Sequence, residues 1–182
     1  MSAVFAPLVG EALSKIDCAK TREAVVRIAD SMPIMMASGN RASQAKVASQ
    51  LADKGYCSSK GAHLCGVTLH VVAERRIGQM PLPRRIGPTP GSEHDLTALR
   101  RVLPHIQGGW LYGDKAYCDG PMKERLADEQ NLELRKPVKR KKGQKHLSAA
   151  DKLFSTAVSK VSQPIESLFN WFDEKTGIQR AS

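Results

Sequence analysis

The chain has 182 residues, 41% of them hydrophobic and 5% aromatic, and 28 Lys and Arg against 18 Asp and Glu give a net charge of +10 at pH 7. This hydrophobic content excludes disorder throughout, and the length suits one domain. No stretch approaches the roughly 18–20 apolar residues of a membrane span, and the first residues lack the basic start of a secretory signal, so we expect a cytoplasmic protein.

The first predicted strand is the β-branched run over 24–29, which ends at Asp30. Residues 37–54 are small and polar and show only a weak helical period. A second strand is predicted over 66–73, where apolar and polar side chains alternate. Four prolines within 78–91 restrict any strand there to the edge of a sheet.

A helix is predicted to begin at 92–95, where an acid follows Ser by three residues as in a capping box. A short apolar strand over 110–113 then ends at Asp114, and 119–121 open another helix with Asp as cap and Pro in the first turn. Residues 132–134 predict one more short strand. Strands followed by alternating helices and strands indicate a mixed α/β sheet.

The last helix is predicted to start near Ser148 and to break or kink at Pro164. Its second part carries an apolar stripe at helical spacing, formed by Val161, Ile165, Leu168, Phe169 and Phe172. At 100° per residue, Glu166 falls on the flank of this stripe, so its carboxylate can point into a cleft.

A run of seven basic residues without an acid precedes that helix, and consists of Arg135, Lys136, Lys139, Arg140, Lys141, Lys142 and Lys145. Such a run is typical of a surface that binds a polyanion, because each neutralised phosphate releases condensed counterions. The alternative is a solvated loop. The basic run lies beside a candidate active-site helix, and this position favours a surface that binds nucleic acid.

The four cysteines are expected to be free thiols in an intracellular chain, at positions Cys18, Cys57, Cys65 and Cys118. A zinc site would use Cys57, His63, Cys65 and His70. That spacing lacks the closely spaced cysteine pair of structural zinc sites, so we favour free thiols.

Three acids share a pattern, since Asp30 and Asp114 each close a predicted strand and Glu166 borders the late helix. Ligands of open α/β sheets gather beyond the carboxyl ends of strands, and carboxylates that converge there suit Mg²⁺. Each acid alone has a plainer interpretation, as a turn former or a solvated side chain.

Five segments, in order along the chain, resemble motifs of bacterial insertion-sequence DDE transposases. LYGDKAY resembles the family's GDKAY/GDKGY motif, and IADSMP resembles its first-aspartate motif. The remaining matches are GVTLH to a strand motif, SEHD to a helix start, and QPIESLFNWF to the helix that supplies the third acid.

The resemblance implies an α/β, RNase H-like fold, in which a mixed β-sheet is flanked by helices. It implies a catalytic domain over 22–182 after an N-terminal segment 1–21, and a triad of Asp30, Asp114 and Glu166 that holds two Mg²⁺ ions, with Mn²⁺ as a substitute. The implied activity is metal-dependent DNA strand cleavage and strand transfer, on element ends and target DNA, by a homodimer in a synaptic complex. Lys115 and the basic run would bind the DNA.

The chain also departs from the family around Glu166. Family members often carry Tyr, Arg and Lys where this chain has Ser159, Ser162 and Asp173. The departure indicates either a subgroup with different helix chemistry or weaker DNA positioning. Family members also have more chain at both ends, so we expect a truncated, domesticated or decayed copy. The alternatives to a transposase are a non-catalytic DNA-binding remnant and a structure-specific nuclease of the same fold.

Overall fold

A computed structural model describes residues 25–38, 52–57, 62–115, 117 and 120–178. Six strands in this part of the chain form one sheet: β1 (Val26–Ser38), β2 (Asp53–Cys57), β3 (Ala62–Glu74), β4 (Leu82–Pro90), β5 (Gly109–Tyr112) and β6 (Leu132–Arg135).

The sheet joins an antiparallel half to a parallel half through its central strand β1. One edge of β1 pairs antiparallel with β3, and the other pairs parallel with β5, which pairs parallel with β6. The far edge of β3 is covered by β2 and then by β4. This mixed order agrees with the expected RNase H-like α/β fold, and the proline-rich β4 is the expected edge strand.

Helices cover both faces of the sheet. They are α1 (Asp95–Val102), α2 (Gly120–Gln130), α3 (Ala149–Ser162) and α4 (Pro164–Thr176). A 3₁₀ turn over Leu103–His105 continues α1. Successive side chains of a strand point to opposite faces. Ile28 therefore packs in the core beneath α3 and α4, and Ala29 in the core beneath α1 and α2.

The prediction that the first strand ends at Asp30 was wrong, because β1 continues for eight residues to Ser38. The antiparallel partner β3 pairs with β1 along this extension, and Met32 and Ile34 are buried in the core. Long-range pairing thus overrides the local Ser-Met-Pro signal, and Asp30 lies within the strand. Of residues 37–54, the first two belong to β1 and the last two to β2, and 39–51 lie outside the described residues.

The predicted helix boundaries hold with one change at α1. His94 caps this helix, since its Nδ1 accepts a hydrogen bond of 3.2 Å from the Leu96 N–H. Ser92 instead donates to Asp53 Oδ2 at 2.7 Å. The predicted break at Pro164 is confirmed, as α3 ends at Ser162 and α4 begins at that proline.

The cap predicted at Ser148 is confirmed, because its hydroxyl accepts from the Asp151 N–H. The cap predicted for α2, Asp119, lies outside the described residues.

Candidate functional site

A cavity of about 560 Å³ lies between strands β1 and β5 and helices α3 and α4. The three acids selected from the sequence all line it. Its other polar lining groups are Lys115, Lys160, Ser155, Thr156, Ser159, Ser162 and Gln163.

Strand pairing places the two aspartates at the same level of the sheet. The last pair between β1 and β5 is Ile28 with Tyr112, and Asp30 and Asp114 each follow two residues later. Because side chains alternate along a strand, Asp30 shares the face of Ile28, toward α3 and α4. The predicted adjacency of the strands that carry the two acids is therefore confirmed.

Asp30 is half-buried, and its Oδ1 accepts a hydrogen bond of 2.8 Å from the Ser31 N–H. The pKa of Asp30 is raised from 3.8 to about 6, mainly by burial and in part by the charges of Asp114, Asp95 and Glu166, whereas the hydrogen bond from Ser31 lowers it. At neutral pH the carboxylate is ionised at a cost, and a bound cation would offset that cost.

The position directly before Asp114 leaves no room for a side chain. A Cβ at position 113 would lie 2.8 Å from Cδ2 of the Tyr117 ring, so glycine is required there. The Gly113 N–H donates to the Arg135 carbonyl on β6, and the Tyr117 N–H donates to the Asp114 carbonyl at 3.1 Å. These bonds fix the backbone on both sides of Asp114.

Glu166 reaches the cavity from the first turn of α4. The turn begins at Pro164, whose fixed φ suits a helix start, and Ile165, Leu168 and Phe169 anchor the helix in the core. The other two residues of the predicted apolar stripe, Val161 and Phe172, are partly buried against the same core. Glu166 lies on the flank of this stripe with an exposed side chain, as its helical position required.

The donor set of this cavity suits a hard divalent cation. Carboxylate oxygens are the ligands that Mg²⁺ prefers, and Mg²⁺ commonly binds through one or two carboxylates together with substrate phosphates and waters. Among the described residues, no group of three His, Cys, Asp or Glu side chains is arranged to hold an ion by itself.

The basic run divides into an internal and an external part. Arg135 pairs with Glu133 at 3.0 Å and stacks over the rings of Trp110 and Tyr112, so this charge is engaged within the fold. Lys136 is half-buried. The exposed bases are Lys139, Arg140, Lys141, Lys142 and Lys145.

The exposed bases belong to a loop that starts at the cavity wall, over residues 136–148. Pro137 lines the cavity, and the Val138 N–H donates to the Ser155 hydroxyl on α3. The loop then turns over 141–144, where backbone and side-chain bonds join Lys141 and Gln144. Lys115, also exposed, lines the same cavity.

Sequence reasoning missed Lys160, whose side chain lines the cavity from α3. The signal was a polar stripe: Ser155, Ser159 and Ser162 recur at helical spacing and lead toward Glu166. Ser159 and Ser162, the positions where the chain departs from the resembled family, both line this wall.

The zinc alternative receives no support from the residues that can be compared. Cys65 is a buried free thiol, and His70 Nε2 is bonded to Thr89 Oγ1 at 2.9 Å. The side chains of Cys57 and His63, and residues Cys18 and Cys118, lie outside the described part of the structure.

A family model described as a transposase DDE domain matches residues 20–178. The match includes all three acids of the cavity and the whole basic run. No curated protein and no solved structure matches the sequence. Within the described residues, no helix is long and apolar enough to cross a membrane.

We expect Asp30→Asn to stabilise the metal-free protein at neutral pH but not at low pH. The raised pKa means that the folded state holds its proton more tightly, so wild-type stability falls as pH rises through about 6. The free energy of unfolding of Asp30→Asn, relative to that of wild type, should increase by about 2–3 kcal/mol between pH 4 and 7.5. Urea unfolding in EDTA at both pH values measures it.

The control for this measurement is Asp128→Asn, which removes one negative charge from the exposed surface of α2. Parallel pH curves for Asp30→Asn and wild type would show that Asp30 ionises normally.

Proposed function

The chain belongs to the transposase DDE domain family, and we propose that it cleaves DNA strands and transfers them, with Asp30, Asp114 and Glu166 as its catalytic metal ligands. The observation that carries this proposal is the convergence of these three acids on one cavity beside a basic loop. The substrates would be the ends of an insertion sequence and its target DNA. Since two ends must be joined, we propose a homodimer as the working assembly.

The residues divide the work between metal and phosphate. Asp30, Asp114 and Glu166 would hold two Mg²⁺ ions, which Mn²⁺ could replace. When bound, such ions stabilise charge on the attacking and leaving oxygens of an in-line displacement. In the proposed reaction, a water attacks a phosphodiester at the element end and breaks its P–O3′ bond, which leaves a free 3′-OH and a 5′-phosphate. The free 3′-OH would then attack a phosphodiester of the target strand and displace its 3′-oxygen as the leaving group.

Lysines on two walls of the cavity supply the contacts to the DNA backbone. Lys115 follows Asp114 directly, and Lys160 lies on α3, so a phosphate bound in the cavity would have both lysines and the carboxylates on the walls around it. The exposed bases of loop 136–148 extend this positive surface outward. Phosphate contacts of this kind set the register of the DNA without reading its sequence.

A second candidate function is that of a non-catalytic DNA-binding remnant. Ser159 and Ser162 favour it, because hydroxyls stand where the resembled family often has Tyr and Arg. The Ser162 hydroxyl is bonded to carbonyls of its own helix, those of Val158 and Ser159, which engages it away from any substrate. A structure-specific nuclease would use the same cavity for hydrolysis alone. Mg²⁺-dependent nicking separates both enzymes from the remnant, and joined products separate transposase from nuclease.

Asp114→Asn should abolish Mg²⁺-dependent nicking of a supercoiled plasmid while DNA binding is retained or strengthened. The amide keeps the size of the side chain but removes an anionic ligand and its repulsion of phosphate. Mg²⁺ should raise the melting temperature of wild type by mass action, and Mn²⁺ should support nicking where Ca²⁺ supports little.

The matched control is again Asp128→Asn, which should nick as wild type does. Nicking by Asp114→Asn at the wild-type rate would disprove the ligand assignment. A wild-type protein that neither nicks nor gains stability from metal would be the remnant.

Replacing Lys139, Arg140, Lys141 and Lys142 together by Gln should weaken DNA binding and flatten its salt dependence. The slope of log K against log salt should fall by up to about 0.9 for each lost phosphate contact. Filter binding at several salt concentrations measures the slope. Lys123→Gln on α2, across the sheet from the cavity, is the control. An unchanged slope would make the loop a bystander.

Lys160→Ala should raise KM for plasmid nicking about tenfold with little change in kcat, since one charged contact to phosphate is lost. Lys152→Ala is the matched control, because Lys152 is exposed on the same helix but is not among the residues that line the cavity. Equal effects of the two substitutions would assign Lys160 only a general electrostatic role.

A further inference from the structure

Tyr117 is the bulkiest of the fully buried side chains in the described part of the chain, with 2% of its surface exposed. It packs in the core between the sheet and helices α1 and α2, on the face opposite the cavity. A buried tyrosine hydroxyl requires a polar partner. Here a hydrogen bond joins the side chains of Tyr117 and Ser31.

This hydrogen bond links the two segments that carry the aspartates. On one side, Ser31 directly follows Asp30 and donates its N–H to the Asp30 carboxylate at 2.8 Å. On the other side, the Tyr117 N–H holds the Asp114 carbonyl, and the Tyr117 ring lies against the backbone of Gly113. A short path of contacts therefore runs from one carboxylate to the turn that bears the other.

Two neighbouring carboxylates repel each other until a cation binds between them. The spacing of Asp30 and Asp114 must therefore be held by something other than their own interaction. The parallel pairing of β1 with β5 ends before either aspartate, at Ile28 and Tyr112. Beyond that point, the Tyr117–Ser31 bond joins the two segments.

We infer that Tyr117 and Ser31 form a positioning pair, which holds Asp30 and Asp114 at the spacing that a shared divalent cation requires. The inference rests on the proposed function, since the spacing matters only if both carboxylates bind metal. The aromatic ring of Tyr117 fills the core, and its hydroxyl, through Ser31, sets the distance between Asp30 and Asp114. Groups that support metal ligands in this way typically change metal affinity by 10–100-fold when they are removed.

The test measures Mn²⁺ affinity by electron paramagnetic resonance of free Mn²⁺, on the full chain without DNA. Tyr117→Phe keeps the ring and removes the hydroxyl, and Ser31→Ala removes the partner. Each should weaken Mn²⁺ binding about tenfold. The double variant should be no weaker than either single variant, because all three lack the same hydrogen bond. Ser31→Thr restores a hydroxyl and should recover most of the affinity.

Tyr112→Phe is the matched control. Tyr112 is 8% exposed and lies two residues before Asp114, and its hydroxyl accepts a bond of 3.2 Å from Arg135 rather than from a residue beside Asp30. It loses an equivalent buried hydroxyl, so it should change the melting temperature without changing Mn²⁺ affinity.

Each outcome separates this inference from the proposed function. If wild type binds Mn²⁺ and Tyr117→Phe binds it equally well, the pair has no positioning role and the proposed function stands. If Tyr112→Phe weakens binding as much, the effect is general loosening and the inference fails. If wild type does not bind Mn²⁺, the proposed metal site itself is wrong. Should Tyr117→Phe not fold, Ser31→Ala alone decides, and wild-type affinity in it overturns the inference.

Discussion

Parallel pairing between β1 and β5 is the constraint on which the candidate site depends. It brings two acids that are more than 80 residues apart in the chain to the same level of one sheet, with Asp30 on the face that α3 and α4 cover. Such a pairing must overcome the entropy of closing a long loop, and the buried cores on both faces supply that free energy. The fold therefore tolerates the repulsion between the two carboxylates, because the buried cores on both faces of the sheet stabilise it.

The two faces of the sheet have different tasks. The face beneath α1 and α2 is a continuous aliphatic core into which Tyr117 is set, and it holds the backbone of the site from behind. The face beneath α3 and α4 is apolar in its middle and opens into the polar cavity at one end. Because α4 begins at Pro164, Glu166 lies in its first turn and lines the cavity from the same side of the sheet as Asp30.

Negative and positive side chains occupy separate but adjoining parts of the molecule. A protein of net charge +10 gathers three acids in one cavity and places exposed bases on the adjoining loop. Under the proposed function, this arrangement would attract DNA to the basic loop and keep its phosphates out of the cavity unless cations neutralise the carboxylates. The hydroxyl-lined wall with Lys160 gives this cavity a different surface from one lined by Tyr and Arg, so DNA contacts here would depend on a flexible amine rather than a planar guanidinium.

Local signals in the sequence determined much of the site. The sequence selected the three acids that line the cavity. It also predicted the cap at Ser148, the break at Pro164 and the edge position of the proline-rich strand, because caps and prolines act through the local backbone. Only the tertiary structure decided how far β1 extends beyond Asp30, that Arg135 is held by Glu133 and two rings, that Lys160 lines the cavity, and that Tyr117 bonds Ser31 behind the aspartates. Those features depend on which distant segments pair and pack. The sequence gives the chemistry of each residue directly. The partner of that residue across the sheet depends on how side chains that are distant in the sequence pack together in the core.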